Sequence, residues 1–225
     1  MITGGAGFIG SHLCDSLLNE HHEIIIVTRN SKNKENINNI LSKIIIENVD
    51  VTNFQGLEDV IIKHHPDIIF HLAGNTSHKQ SFDTPIYDVD INSKSTLVIL
   101  ETIRKLGLKC KFILGSTFIV IGKNASLPID ENTPCNPSTI YGANRLLSEH
   151  YCKIYNNVYD IDTIIFRITN SFGPREQYET PTKNALNYMI YRAFKNQDVS
   201  IFNEGKFFRD IIYVSVVING LNIIL

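Results

Sequence analysis

The sequence predicts an α/β fold in which a doubly wound parallel sheet carries helices on both faces. Three observations lead to this prediction. Short β-branched runs alternate with longer segments of helical period, which is typical of βαβ units. The first run leads through a glycine-rich turn directly into an amphipathic helix. The chain has 225 residues, of which 43% are hydrophobic, so it can bury one substantial core.

The strands and helices follow from the spacing of apolar residues along the chain. Strands are predicted at residues 1–3, 24–28, 44–47, 68–72, 111–115 and 163–168, and helices at 8–19, 56–64, 86–106 and 138–157. Pro66 and Gly107 mark two of the boundaries. From residue 170 the pattern loosens into loops, brief apolar runs and a helix at about 183–196. We therefore expect one large domain, residues 1–169, and a smaller region, residues 170–225, that lies over the carboxyl edge of the sheet and returns to it.

Charge and cysteine content narrow the classes of partner. The formal net charge is −2 and the basic residues are scattered, so no positive field is offered to nucleic acid or anionic lipid. The longest apolar stretches, such as 214–225, are shorter than the roughly 18 to 20 residues that span a bilayer. The four cysteines have neither zinc-site spacing nor the density of a disulfide scaffold. We expect a cytoplasmic protein with free thiols, no metal site, and no nucleic-acid or membrane partner.

A phosphate-binding turn is predicted at residues 3–10, which read TGGAGFIG. Gly4, Gly7 and Gly10 permit positive φ, close approach of the backbone to a pyrophosphate, and tight contact between helix and strand. The helix that begins with Phe8 and Ile9 offers free N–H groups and a partial positive charge to the phosphates. Tight turns also use glycine for structure alone, but the strand-turn-helix context is the one that a dinucleotide motif requires. The sequence therefore predicts a Rossmann-type sheet that binds a nicotinamide dinucleotide.

The end of the second predicted strand selects between NAD and NADP. An acidic side chain there would bind the adenosine ribose of NAD, but this chain has Thr28, Arg29 and Asn30. The Arg29 guanidinium could pair with a 2′-phosphate, or it could be a solvated loop residue. The sequence leaves NAD or NADP open, with a lean to NADP.

A tyrosine and a cation four residues apart form a candidate catalytic pair. Tyr141 and Arg145 share one helix face, and Ser116 and Thr117 end the fifth strand, so all reach the same edge of a parallel sheet. There the cation can favour the phenolate and hold the nicotinamide ribose, while a strand-end hydroxyl aligns the substrate. The same spacing is also common on ordinary helices.

Further motifs follow in order, and together they resemble the extended short-chain dehydrogenase/reductase family, in its branch of NAD(P)-dependent epimerases and dehydratases of nucleotide sugars. The matching stretches run from residue 2 to about residue 217. They are TGGAGFIGSHL, Asp50-Val51, His71-Leu72-Ala73-Gly74, Asn92, Ser116-Thr117 with Gly122, Tyr141-Gly142, Arg167, Asn170, Gly173-Pro174-Arg175, Arg209-Asp210 and Tyr213-Val214.

This resemblance implies roles that spacing alone does not assign. Thr117 matches the catalytic Ser/Thr, Tyr141 the acid/base, and Asn170 and Arg209 the residues that hold the diphosphate of a sugar nucleotide. Asn170 could instead cap a loop. A homodimer through the two long helices is also implied. The implied cofactor contacts are Asp50 and Val51 beside the adenine, Leu72, Ala73 and Gly74 along the ribose and phosphates, and Asn92.

Three residues at two sites depart from the family pattern. The lysine four residues after the tyrosine is Arg145 here, which keeps the charge but needs different room and cannot lose its proton. We expect it to preserve cofactor binding and to weaken catalysis. The Asp-Glu pair of the 4,6-dehydratases is replaced by Phe118 and Ile119, so water elimination lacks its proton donor and acceptor.

Both ends are short relative to the resembling family. Three residues precede Gly4, and the chain stops at Leu225 within an apolar helical run, so we expect a truncated substrate region. A fragment, a misread reading frame and a decayed copy stay open. The leading hypothesis is an epimerase of the UDP-hexose 4-epimerase type, which acts by transient hydride transfer at a sugar carbinol carbon. An NADPH-dependent nucleotide-sugar ketoreductase and a non-catalytic dinucleotide-binding remnant are the alternatives.

Overall fold

A six-stranded parallel sheet forms the centre of the computed structural model, which describes residues 1–29, 35–123, 127–179, 185–206 and 209–225. The strand order is β3-β2-β1-β4-β5-β6, so the direction of winding reverses between β1 and β4. This confirms the predicted doubly wound, Rossmann-type fold. The strands are β1 Ile2–Thr3, β2 Ile25–Val27, β3 Ile45–Glu47, β4 Ile68–His71, β5 Lys111–Thr117 and β6 Thr163–Ile168.

Helices cover both faces of this sheet, and none in the described part of the chain is long and apolar enough to cross a membrane. A π-helical turn, Asp90–Lys94, joins α4 to α5, so residues 85–106 form one continuous helix. Short 3₁₀ helices lie at Glu35–Lys43, Phe118–Ile121 and Phe202–Gly205. The α-helices are α1 Phe8–Asn19, α2 Phe54–His64, α3 His78–Asp83, α4 Pro85–Val89, α5 Ser95–Leu106, α6 Ile140–Tyr159, α7 Ala185–Phe194 and α8 Val214–Ile223.

The sheet separates two hydrophobic clusters because successive strand side chains point to opposite faces. Ile69 of β4 and its register partner Phe112 of β5 join the cluster formed with α2, α5 and α6. The next pair, Phe70 and Ile113, joins the cluster formed with α1 and α8. All four side chains are at most 2% exposed. Burial on both faces explains why the strands read as continuous apolar runs.

Caps fix the helix boundaries that matter most for the carboxyl edge. The Thr139 hydroxyl accepts a hydrogen bond from the Gly142 N–H (3.0 Å), which sets the first turn of α6. Gly107 ends α5 in the left-handed region (φ +60°), at the boundary that the sequence predicted.

The last part of the chain adds a second, two-stranded sheet. β7 (Asn170–Phe172) pairs in parallel with β8 (Ile211–Tyr213). α8 then packs against α1, where Val217 and Leu221 are buried in the same cluster as Leu13. The division into domains at residue 169 stays a prediction.

Candidate active site

The glycine turn joins β1 to α1 with no room for larger side chains. Gly4 has a left-handed backbone (φ +72°), and a Cβ there would lie 2.9 Å from the Ala73 backbone nitrogen. A Cβ at Gly10 would overlap the carbonyl oxygen of Gly4 and would lie 2.7 Å from the Cα of Gly5. The helix therefore packs directly onto the turn that feeds it.

The N-terminus of α1 is left without a side-chain cap. Gly7 precedes the helix, which begins with Phe8 and Ile9, and no side-chain capping bond is found there among the described residues. The turn thus brings a bare helix N-terminus to the carboxyl edge of β1, a geometry that suits phosphate groups.

The end of β2 carries the residues predicted to select the cofactor. The Thr28 N–H donates to the carbonyl of Glu47 (3.0 Å), which keeps the strand end in register. Arg29 is exposed, and its Nη1 donates to the Tyr87 hydroxyl (3.0 Å). Asn30 lies outside the described residues.

The pair predicted beside the adenine follows β3. Oδ1 of Asp50 accepts hydrogen bonds from the N–H and the hydroxyl of Thr52, at 3.0 and 2.8 Å. The Val51 side chain is buried in the same cluster as Leu57. Asp50 therefore closes a local turn, and Val51 anchors that turn to the core.

A buried hydrogen-bond chain joins β1, β4 and the helix of residues 85–106. It lies between β1 and β4, where the direction of winding reverses. The Ala73 N–H donates to Thr3 Oγ1 (3.2 Å), which contacts His71 Nδ1 (2.8 Å). On the other side of the ring, His71 Nε2 contacts Ser95 Oγ (3.0 Å), whose hydrogen is donated to the carbonyl of Ile91 (2.8 Å). Because that serine hydrogen is committed, Nε2 carries the imidazole proton and Nδ1 accepts from the threonine. The chain is satisfied only by neutral histidine.

The pKa of His71 agrees with this proton assignment. Complete burial, together with the nearby charge of Arg145, lowers the pKa of His71 from its ordinary 6.5 to about 3. His71 is therefore an uncharged structural residue that links Thr3 of β1 to Ser95 of α5.

A cluster of amides around a buried carboxylate fixes the loop that follows β4. Asp88 Oδ1 accepts from the side-chain amides of Asn75 (3.2 Å) and Asn92 (2.9 Å), and its Oδ2 accepts from Asn144 (2.8 Å). Asn92 also accepts from the Asn75 backbone N–H (3.1 Å). The implied cofactor residue Asn92 thus fixes the segment that contains Gly74. Sequence reasoning missed Asp88, although it lies one helical turn before Asn92.

The three predicted catalytic residues are buried, one at the end of β5 and two near the start of α6. Thr117 ends β5, and Tyr141 and Arg145 lie on successive turns of α6; their exposed fractions are 7%, 5% and 2%. The guanidinium carbon of Arg145 lies 6.0 Å from the centroid of the Tyr141 ring. The first turn of α6 packs on the helix that directly follows Thr117, since a Cβ at Gly142 would lie 3.2 Å from Ile119.

The guanidinium of Arg145 is incompletely satisfied. Its Nη2 donates to the carbonyl of Ala73 (3.2 Å), whereas Nε and Nη1 are buried with no partner among the described residues. Each buried donor without a partner costs about 1–3 kcal/mol, and charged groups cost more. Two unpartnered donors beside the glycine turn suit a polar ligand at this edge.

A buried ion pair, which sequence reasoning missed, distinguishes Ser116 from Thr117 because it binds the hydroxyl of Ser116. Glu149 is 0% exposed, and Arg167 contacts its two carboxylate oxygens from Nε (3.0 Å) and Nη2 (2.7 Å). The Ser116 hydroxyl donates to the same carboxylate (2.6 Å). This bidentate contact raises the pKa of Arg167. The hydroxyl of Ser116 is therefore committed, which leaves Thr117 as the strand-end hydroxyl.

The two residues implied for the sugar diphosphate lie at the small sheet. Asn170 begins β7, and its side-chain amide donates to the carbonyl of Asp210 (3.1 Å). Arg209 is exposed and precedes β8, whose first residue, Ile211, pairs with Asn170. Register therefore brings both residues to the same end of the sheet.

The segment Gly173-Pro174-Arg175, called the GPR loop below, joins the small sheet to the glycine turn and α1. Arg175 forms an ion pair with Asp15 of α1 (2.6 Å), and its carbonyl accepts from the Asn36 amide (3.3 Å). That amide nitrogen also donates to the carbonyl of Ala6 (3.3 Å). His12 contacts the next carbonyl toward the N-terminus, that of residue 174 (3.0 Å). These bonds tie the end of β7 to the start of α1.

Comparison with known proteins finds similarity along the whole chain. The model of the NAD dependent epimerase/dehydratase family matches residues 1–225. A Methanocaldococcus jannaschii protein provisionally named a UDP-glucose 4-epimerase is 35% identical over 215 residues, which are 95% of this chain and 69% of the relative.

Two solved structures are similar over nearly the whole chain. One is a Thermotoga maritima UDP-glucose 4-epimerase with UDP-glucose, at a TM-score of 0.89 and 31% identity, covering 97% of this chain and 70% of that one. The other is a Bacillus cereus UDP-glucuronic acid 4-epimerase in complex with UDP-glucuronic acid and NAD, at 0.85 and 28%, covering 98% and 71%.

Proposed function

We propose that this chain, which belongs to the NAD dependent epimerase/dehydratase family, is a nucleotide-sugar epimerase of the UDP-hexose 4-epimerase type. The observation that carries the proposal is the grouping of a tyrosine, a cation and a strand-end hydroxyl beside a bare glycine turn. Tyr141, Arg145 and Thr117 form this group, and each is less than 8% exposed.

The residues at this edge fit a nicotinamide dinucleotide. The uncapped start of α1 suits the pyrophosphate, and the unpartnered Nε and Nη1 of Arg145 suit ribose hydroxyls. Because both nitrogens are buried, a hydroxyl reaches them only after a small movement of the side chain or its neighbours. Bound NAD supplies a hydride acceptor and donor at a sugar carbinol carbon.

The protein side chains then manage the proton and the orientation of the sugar. Tyr141 takes the proton from the sugar hydroxyl and returns it, and Arg145 places a positive charge 6.0 Å from the centre of its ring. Thr117 orients the sugar through its hydroxyl, since Ser116 is bonded to Glu149. Elimination of water is not supported, because Phe118 and the residues after it in this short helix are apolar.

The sugar nucleotide is proposed to lie between this edge and the region of residues 170–225. Asn170 and Arg209, at one end of the small sheet, are candidates for the diphosphate. A cavity of about 460 Å³ lies between the GPR loop and α7, lined by the paired rings of Tyr178 and Tyr191 and by Arg175. Aromatic and cationic walls suit a nucleotide.

Arg29 supports a second candidate, a nucleotide-sugar ketoreductase that consumes NADPH. Its guanidinium is exposed at the end of β2, where it could reach a 2′-phosphate if its bond to Tyr87 opened. Titration of both cofactors tests this lean to NADP, which clearly tighter binding of NAD would contradict.

The proposed activity is tested by incubating the purified chain and NAD with UDP-glucose or UDP-galactose. An epimerase interconverts the two sugars with no net change in nicotinamide absorbance, whereas a reductase oxidises its cofactor. Tyr141→Phe should lower turnover by about 10²- to 10⁴-fold while NAD still binds. Cofactor binding with no conversion across a panel of nucleotide sugars would favour a non-catalytic remnant.

A homodimer is also proposed, through α5 and α6. An apolar stripe runs along α6 at helical spacing, and its members Leu147, Ile154 and Val158 are 39%, 50% and 65% exposed. Two copies of such a stripe can cover each other across a two-fold axis.

A further inference from the structure

We propose that Gly74 is the residue that lets arginine replace lysine at position 145, so that Gly74 and Arg145 form a matched pair. The proposal rests on the proposed function for its catalytic consequence. Its structural part concerns only the room around one buried guanidinium.

The first observation is that the guanidinium occupies the space that a side chain at position 74 would need. A Cβ on Gly74 would overlap Nη2 of Arg145 and would lie 2.9 Å from its Cζ. The same Cβ would lie 2.7 Å from Oδ1 of Asn92, on the helix that covers the loop. A single methyl group would therefore have to displace the charged head of Arg145.

The second observation is that the backbone does not require glycine here. The described glycines with positive φ include Gly4, Gly107 and Gly122, and Gly74 is not among them. Alanine at position 74 would meet no backbone strain, so the obstacle is the neighbouring side chain.

The guanidinium has little freedom to move aside. Arg145 is 2% exposed, and Nη2 is held by the carbonyl of Ala73. A displaced head would lose that hydrogen bond and shift relative to the Tyr141 ring, which lies 6.0 Å away. Overpacking of this kind in a buried site is destabilising.

Lysine would not meet the same obstacle. Its ammonium is compact and lacks the planar fork that extends beside residue 74. The cost of a Cβ at position 74 therefore depends on which cation stands at position 145. The contact with Asn92 is present with either cation, so it cancels when the two backgrounds are compared.

The test is a double-mutant cycle of wild type, Gly74→Ala, Arg145→Lys and the double variant, read by NAD binding calorimetry and thermal unfolding. With Arg145, Gly74→Ala should weaken NAD binding by about tenfold and lower the melting temperature. With lysine at 145 the contact with Asn92 remains, so the same change should still weaken binding, but by at least about threefold less than with Arg145. A Gly74→Ala variant that folds only in the lysine background also supports the pair.

Gly115→Ala is the matched control, because its Cβ would meet Leu72 at 2.8 Å rather than Arg145. Its effect should be the same in both backgrounds. Equal losses from Gly74→Ala in both backgrounds, including loss of folding in both, would overturn the proposal. Neither readout needs turnover, so a chain that binds NAD but converts no sugar contradicts the proposed function while the cycle still tests the pair.

Discussion

Two neighbouring hydroxyls at the end of β5 have different surroundings. Ser116 donates to the buried carboxylate of Glu149, whereas within the described part of the chain the Thr117 oxygen accepts the N–H of Ile119 (3.3 Å) and no other hydrogen bond. Strand alternation sends the two side chains to opposite faces of the sheet. The resemblance points to Thr117, and the structure shows that its hydroxyl, unlike that of Ser116, is not bonded to a carboxylate among the described residues.

Replacing Thr117 tests this distinction. Thr117→Val should lower kcat by about 10²-fold because the hydroxyl is lost with little change in volume, while Thr117→Ser should keep most activity. Both variants should bind NAD as the wild type does. Equal turnover of the valine and serine variants would exclude a role for the hydroxyl.

His71 should make stability depend on pH. Its pKa is about 3 in the folded chain against an ordinary 6.5, so between these values the unfolded chain binds a proton that the native chain does not. The free energy of unfolding should therefore fall as pH decreases from 6.5 toward 3, by up to about 1.4 kcal/mol per pH unit. Urea unfolding of wild type and His71→Asn measures this term, and identical pH slopes would contradict it.

At the scale of elements, α6 carries two of the three proposed catalytic residues and the carboxylate that binds the helix to the sheet. Tyr141, Arg145 and Glu149 recur every four residues on one face of this helix. Glu149 joins the helix to β5 through Ser116 and to β6 through Arg167. The ion pair thus fixes the helix that carries the proposed acid/base.

Removing the carboxylate of Glu149 should destabilise the contact of α6 with β5 and β6. Glu149→Ala should lower the free energy of unfolding by about 3–5 kcal/mol, because it leaves Arg167 without its partner in a largely buried place. Asp83→Ala removes an exposed carboxylate that pairs with Lys79, and it should cost less than about 1 kcal/mol. Similar losses from the two variants in urea melts would argue against a special role for Glu149.

Sequence pattern predicted the main elements because their apolar period is strong. The helix at 8–19 and the strand at 163–168 match the structure to the residue. The cluster around Asp88 was not predictable, because its amides come from positions far apart in the chain and meet only through tertiary packing. The strands β7 and β8 lie where the sequence shows only loops and brief apolar runs, so the pattern predicts no strand there.

At the scale of the whole molecule, the glycine turn is supported by segments that lie far from it in the sequence. The GPR loop and Asn36 hold the turn, and α8 packs against α1. The residues that follow β7 are therefore joined to α1. This placement explains why motifs far apart in the sequence converge on one edge.

The proposed dimer predicts a change of mass without a change in cofactor binding. Two charges placed on the apolar stripe, Ile154→Glu with Val158→Glu, should reduce the solution mass from two chains to one. Light scattering after size exclusion measures the mass, and NAD affinity should change by less than about twofold. A wild-type chain that elutes as a monomer would contradict the dimer.

The central claim, epimerisation by transient hydride transfer, is tested most directly with UDP-glucose deuterated at carbon 4 of the sugar. We expect UDP-galactose to form with deuterium retained at that carbon, in unlabelled water and with no net reduction of NAD. Product in which the deuterium is replaced by solvent hydrogen, or appears in released cofactor, would contradict it.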